Sequence, residues 1–156
     1  MREKIVDLPR LCEAVAAARA AGRKVVFTNG CFDLLHRGHL HVLREAKARG
    51  DLLVVGVNSD RSVRGLKGPG RPILSEEERL ELIAALEMVD YVVLFDAPDP
   101  YDVIAAVRPD VLVKGGDWAE SEIVGADIVI GDGGTVCVVP YLKGFSTSEI
   151  IARIRS

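Results

Sequence analysis

Five short, almost wholly apolar runs alternate along this chain with segments of helical periodicity, and that alternation restricts the fold more than any other feature. Lys24–Thr28, Leu52–Asn58, Tyr91–Phe95, Val111–Val113 and Thr135–Val139 read as strands too uniformly apolar to leave one face in water. The intervening segments carry helix signals. Asp7 caps a first helix with Leu8, Leu11, Cys12 and Val15 on one side and Gly22 as its stop, and Gly38–Arg49 is a second helix that ends at Gly50. Ser75 and Glu78 form a capping box ahead of Leu80, Ile83 and Leu86. Asp99 and Pro100 start a helix that stops before Pro109, and Thr147–Ile154 is the last. Strands alternating with helices require right-handed crossovers. The expected fold is therefore α/β: a Rossmann-like, doubly wound, mostly parallel five-stranded sheet with helices on both faces.

Two segments are less regular. Asp127–Ile130 is a weak apolar run followed by a turn at Gly131–Gly134. Ser59–Leu74 places Gly65, Gly68, Pro69, Gly70 and Pro72 among Arg61, Arg64, Lys67 and Arg71, and is expected as a long basic loop without regular structure. At 156 residues the chain suits one domain, with 1–22 as a lead-in helix and 23–156 as the core.

Composition narrows the partners. A hydrophobic fraction of 49% argues for a substantial core and against disorder. The formal charge is -3 and no dense Lys/Arg stripe exists to release counterions, which argues against nucleic acid as a partner. Cys12, Cys31 and Cys137 form no CxxC or Cys/His ligand spacing and suit a reducing, cytoplasmic setting. No signal-peptide core or membrane-length apolar run is present, so no membrane role is expected. Small-molecule partners remain.

The strand at Val25 runs into Thr28, Asn29, Gly30, Cys31, Phe32 and Asp33, then into His36, Gly38 and His39 as a helix begins. Two imidazoles three residues apart, at a glycine and a helix N-terminus, can put side-chain and backbone donors on one anion. His41, further along the helix, is read as surface or packing. This turn resembles the GxFDxxHxGH signature of the HxGH, or cytidylyltransferase-like, nucleotidyltransferase superfamily. The resemblance implies that His36 and His39 contact nucleotide phosphates and stabilise charge as pyrophosphate leaves. It places Thr28, Asn29, Gly30, Cys31, Phe32 and Gly38 at the nucleotide.

Other segments extend the likeness. Lys114, Gly115, Gly116 and Asp117 read from their chemistry either as a strand-end turn with a solvated lysine or as a place where backbone closely approaches a ligand. The stretch from Arg108 resembles the RPDxLVKGGD segment of the heptose 1-phosphate adenylyltransferases, which makes Lys114 catalytic and puts Gly116 and Asp117 at the nucleotide. Ser146, Thr147 and Ser148 stand behind Gly144 at a helix start, where hydroxyl and backbone donors can meet phosphate oxygens. They resemble the superfamily's GxSTT motif, with Ser148 in place of the last Thr. Arg64, Lys67 and Arg71 resemble the heptose enzymes' RxLKGxxRP pattern and, with Asp33, are assigned to the sugar phosphate. Arg79 lies in reach of the same region from its helix.

The resemblance implies ATP and D-glycero-β-D-manno-heptose 1-phosphate as substrates. Mg²⁺ is expected to be carried mainly on the ATP phosphates with much of its water shell, so few protein ligands are needed and no metal residues are assigned. In several relatives this domain is fused behind a sugar kinase, so a separate kinase is expected to supply the sugar phosphate. Homo-oligomerisation is open, with the Asp7 helix and the apolar second half of the sheet as available faces. Glycerol 3-phosphate cytidylyltransferase shares the FDLLHxGH turn but has Arg where this chain has Tyr141. An ATP-sensing module without catalysis is the alternative of another class.

Overall fold

The computed structural model describes Met1–Ser156, and the apolar runs form one parallel sheet. In chain order the elements are α1 (Leu8–Ala20), β1 (Val25–Gly30), α2 (Arg37–Lys47), β2 (Leu52–Asn58), α3 (Asp60–Lys67), α4 (Glu76–Ala84) and β3 (Tyr91–Phe95). They continue as α5 (Tyr101–Val107), β4 (Val111–Gly115), α6 (Ala126–Gly131), β5 (Thr135–Val139) and α7 (Thr147–Arg155). The sheet order is β3-β2-β1-β4-β5, and every neighbouring pair is parallel. This is the doubly wound fold expected from the alternation.

The two-residue period of the strands divides the core. Val25 and Phe27 of β1 join Leu11 and Val15 of α1, Ile104 of α5 and Val129 of α6 on one face. Val26, between them in sequence, joins Leu43 of α2 and Ile83 of α4 on the other. The first helix is thus a packed layer of the core, capped by the Asp7 carboxylate accepting the Arg10 N–H at 3.0 Å. No helix is long and apolar enough to cross a membrane.

The largest departure from expectation lies in 59–74. Its first half is helical: Ser59 caps α3 by accepting the Ser62 N–H, and Ser62 and Val63 are buried. The helix-breaking residues Gly68, Pro69, Gly70 and Pro72 all follow Lys67, so they end α3 instead of preventing it. The weak run at Asp127–Ile130 is helix α6, because Ala126 and Val129 have the β4–β5 side of the core to pack against. β1 extends through Asn29 and Gly30, and β4 through Lys114 and Gly115, since ladder partners on β2 and β5 continue that far.

Candidate functional site

Strand order reverses between β1 and β4, and an open α/β sheet receives ligands outside the carboxyl ends of its strands at such a point. The turn after β1 and the Gly116–Asp117 segment after β4 leave the sheet there. His36 is the N-cap of α2, and its Nδ1 accepts the Gly38 N–H at 3.0 Å. His39 Nδ1 in turn accepts the His36 N–H at 3.2 Å. The two rings stack with centroids 3.8 Å apart. A neutral imidazole that accepts at Nδ1 carries its proton on Nε2. Both rings therefore hold an Nε2–H free for an external acceptor. Burial lowers both pKa values, that of His39 to about 4, where the neighbouring His36 adds to the burial effect and Asp33 opposes it.

Phe32 supports this pair. Its ring meets His39 edge-on at 5.2 Å, although its backbone sits at φ 48, in the left-handed region that costs a non-glycine residue about 1–3 kcal/mol. Gly38 has a steric reason to be glycine: a Cβ there would lie 2.8 Å from His36 Cε1 and 3.1 Å from the Phe145 carbonyl oxygen. That space lets the segment leading into α7 close on the start of α2, where the Arg37 guanidinium lies 5.3 Å from the Phe145 ring centre. Ser146 caps α7 by accepting the Glu149 N–H at 3.1 Å, leaving its hydroxyl proton available, and Thr147 and Ser148 occupy the first turn.

On the other side of the cleft, Lys114 Nζ sits over the Trp118 ring at 5.1 Å. Burial lowers its pKa; the Cys31 thiolate form opposes that shift and Lys67 adds to it. Burial pushes the Cys31 thiol up, against the charges of Lys67, Arg79 and Arg71. Geometry brings two cations to this end of the sheet: Arg71 is held by Asp33, two residues beyond Cys31, and Lys114 stands at the end of β4, while Lys67, the last residue of α3, is exposed. A Cβ on Gly116, at φ 118, would lie 2.9 Å from the Tyr141 ring and 3.0 Å from Trp118 Nε1, so the glycine forms a floor between two aromatic side chains.

The remaining sequence-predicted residues lie as follows. Thr28 is 1% exposed inside β1. Arg64 and Lys67 on α3 and Asp117 after β4 are exposed. Asp33, assigned to the sugar phosphate, is 1% exposed, and both its oxygens are occupied by Arg71 Nε and the Ile73 and Leu74 N–H groups. Arg79 does not reach the cleft at all. It is fully buried, donating to the carbonyls of Leu74, Cys31 and Asn58 and to the Asp60 carboxylate. Its partners come from the ends of β1 and β2 and from α3, an arrangement that only an arginine's fork of donors can satisfy. Tyr141 and Trp118 carried no assignment from sequence; the aromatic residues flanking two glycines were the available signal.

A family model described as cytidylyltransferase-like matches residues 27–153. The bifunctional protein HldE of Trichlorobacter lovleyi is 52% identical over 151 residues, covering 97% of this chain and 31% of that protein. HldE of Koribacter versatilis is 53% identical over 150 residues, and again the match takes in 31% of the relative's length. Among solved structures, the lipopolysaccharide core biosynthesis protein of Thermoplasma volcanium aligns with TM-score 0.63 and 35% identity, covering 80% of this chain and all of that one. Pantoate-β-alanine ligase of Francisella tularensis has the same TM-score at 13% identity, over 97% of this chain and 76% of its own, a likeness of fold alone.

Proposed function

The chain belongs to the cytidylyltransferase-like family, and from that premise we propose that it transfers AMP from ATP to D-glycero-β-D-manno-heptose 1-phosphate, giving ADP-heptose and pyrophosphate. The observation that carries this reading is the juxtaposition, at one strand-order reversal, of two neutral His Nε2–H donors with Lys114 at the end of β4 and Arg71 held on Asp33. One set of donors suits a triphosphate and the other a second phosphate that approaches it.

In the proposed reaction an oxygen of the sugar phosphate forms a bond to the α-phosphorus of ATP, and the bond from that phosphorus to the β-phosphate oxygen breaks. A phosphomonoester with a second pKa of about 6 is already an oxyanion at neutral pH, so no general base is needed. Catalysis then rests on positioning and on charge stabilisation. The His36 and His39 Nε2–H groups would donate to oxygens whose charge grows as pyrophosphate leaves, without transferring a proton. The N-terminus of α7 offers unpaired N–H groups and the hydroxyls of Ser146, Thr147 and Ser148 to the same phosphates. Lys114 would add its charge at the donor phosphates, and Lys67 and Arg71 would hold the incoming phosphate.

No three His, Cys, Asp or Glu side chains are grouped to hold a metal ion. A Mg²⁺ would come with the triphosphate, keep most of its water shell and neutralise charge there. Pyrophosphate release measured with Mg²⁺ and a panel of ATP or CTP against heptose 1-phosphate or glycerol 3-phosphate tests the proposal. ATP with heptose 1-phosphate is expected to turn over fastest. Preference for CTP or for glycerol 3-phosphate would overturn it.

A further inference from the structure

We propose that Asp33 is a positioning residue that grips Arg71 by its Nε, so that the two terminal Nη groups of the guanidinium face the acceptor phosphate. Resting on the acceptor site proposed above, this assigns the aspartate a different task from binding sugar. Its carboxylate is 1% exposed and fully engaged: Oδ1 accepts the Ile73 and Leu74 N–H groups at 3.0 and 2.9 Å, and Oδ2 accepts Arg71 Nε and the Ile73 N–H at 2.9 and 2.8 Å. No lone pair faces the cleft for a sugar hydroxyl.

Arg71 gives the complementary picture. Its side chain is 17% exposed, and Nε is its one hydrogen-bonding atom toward the protein. No buried side-chain nitrogen lacks a partner, so the unpartnered Nη groups are open to solvent. A guanidinium held along one edge and free at its tip is oriented for bidentate contact with a phosphate. The same carboxylate holds the backbone of Ile73 and Leu74, which fixes the distal end of the segment that follows Lys67. In the chain Asp33 follows Phe32, whose ring packs on His39. One turn thus sets the acceptor cation and the nucleotide-side imidazoles relative to each other.

Asp33→Asn and Arg71→Lys, singly and together, test this in the pyrophosphate-release assay with ATP and heptose 1-phosphate varied separately, alongside binding of a non-hydrolysable ATP analogue. Each single variant is expected to raise the acceptor KM about tenfold or more, as loss of a hydrogen bond to a charged group implies. The ATP KM and analogue affinity should stay within about threefold. The double variant should be no worse than either single one. Equal losses for ATP and acceptor, or single effects that multiply in the double variant, would overturn the assignment. If Asp33→Asn does not fold, an unchanged acceptor KM in Arg71→Lys has the same force. A wild-type protein that turns over no sugar phosphate would instead sink the proposed function, an outcome distinct from wild-type turnover with an unaltered Asp33→Asn.

Discussion

His36 and His39 close the first turn of α2 on each other: the Gly38 N–H donates to His36 Nδ1, the His36 N–H donates to His39 Nδ1, and the rings stack at 3.8 Å. Each imidazole thus has a structural nitrogen and a chemical one. Asparagine can imitate the first but not the second, and it is among the best N-cap residues. His36→Asn is therefore expected to keep the melting temperature within a few degrees while lowering kcat about 10²- to 10³-fold, the usual loss for one oxyanion donor. Thermal unfolding and turnover on the same preparation would check it, and parallel loss of both would refute the division of labour.

The same caps predict how stability depends on pH. Burial lowers the His39 pKa from 6.5 to about 4, and that of His36 in the same direction. Between those limits the unfolded chain binds more protons than the folded one, so stability should rise as pH increases from about 4 to 6.5 and should be lost as pH falls through that window. Urea titrations at pH 5 and 7 would measure this. His39→Asn should flatten the difference, and a wild-type protein more stable at pH 5 would contradict the assignment.

Gly38→Ala should reverse the usual sign of a helix substitution. Alanine inside a helix ordinarily stabilises by about 0.5–1 kcal/mol over glycine. Here the added Cβ would meet His36 Cε1 at 2.8 Å and the Phe145 carbonyl oxygen at 3.1 Å. Both neighbours belong to the proposed phosphate site, so the expected result is a raised ATP KM and reduced kcat without gain in melting temperature.

Arg79 should matter for folding and not for substrate affinity. Removing it leaves the Asp60 carboxylate and the carbonyls of Leu74, Cys31 and Asn58 without their donor. Arg79→Met is expected to cost about 2–4 kcal/mol, mainly from buried carbonyls left without a donor, since the Asp60 carboxylate is 29% exposed and can be rehydrated. Urea denaturation reads this directly, and a loss below about 1 kcal/mol would show that the network reorganises.

Trp118 is the sole tryptophan, and its ring lies 5.1 Å from Lys114 Nζ. Occupation of the cleft by an ATP analogue should draw that ammonium toward phosphate and change the tryptophan emission saturably. Lys114→Met should alter the starting emission and abolish most of the change. A fluorescence signal insensitive to ATP would place the nucleotide elsewhere.

The sequence alone determined the alternating strands and helices, the Asp7 cap, the Ser75 capping box and the glycines after β4, because these depend on local chemistry: periodicity, φ preference and hydrogen bonds within a few residues. Even helix α3 obeys those rules, and Ser59 is a proper cap for it, though the glycines and prolines beyond Lys67 obscured where it ended. Tertiary structure alone decided what the buried charges do. Asp33 meets Arg71, Ile73 and Leu74 some 38 to 41 positions away, and Arg79 meets the Cys31 carbonyl 48 positions away. A carboxylate or guanidinium reads the same in a sequence whether it faces a ligand or holds a loop. Which of the two it does is set by which donors or acceptors the packed sheet brings within about 3 Å of it.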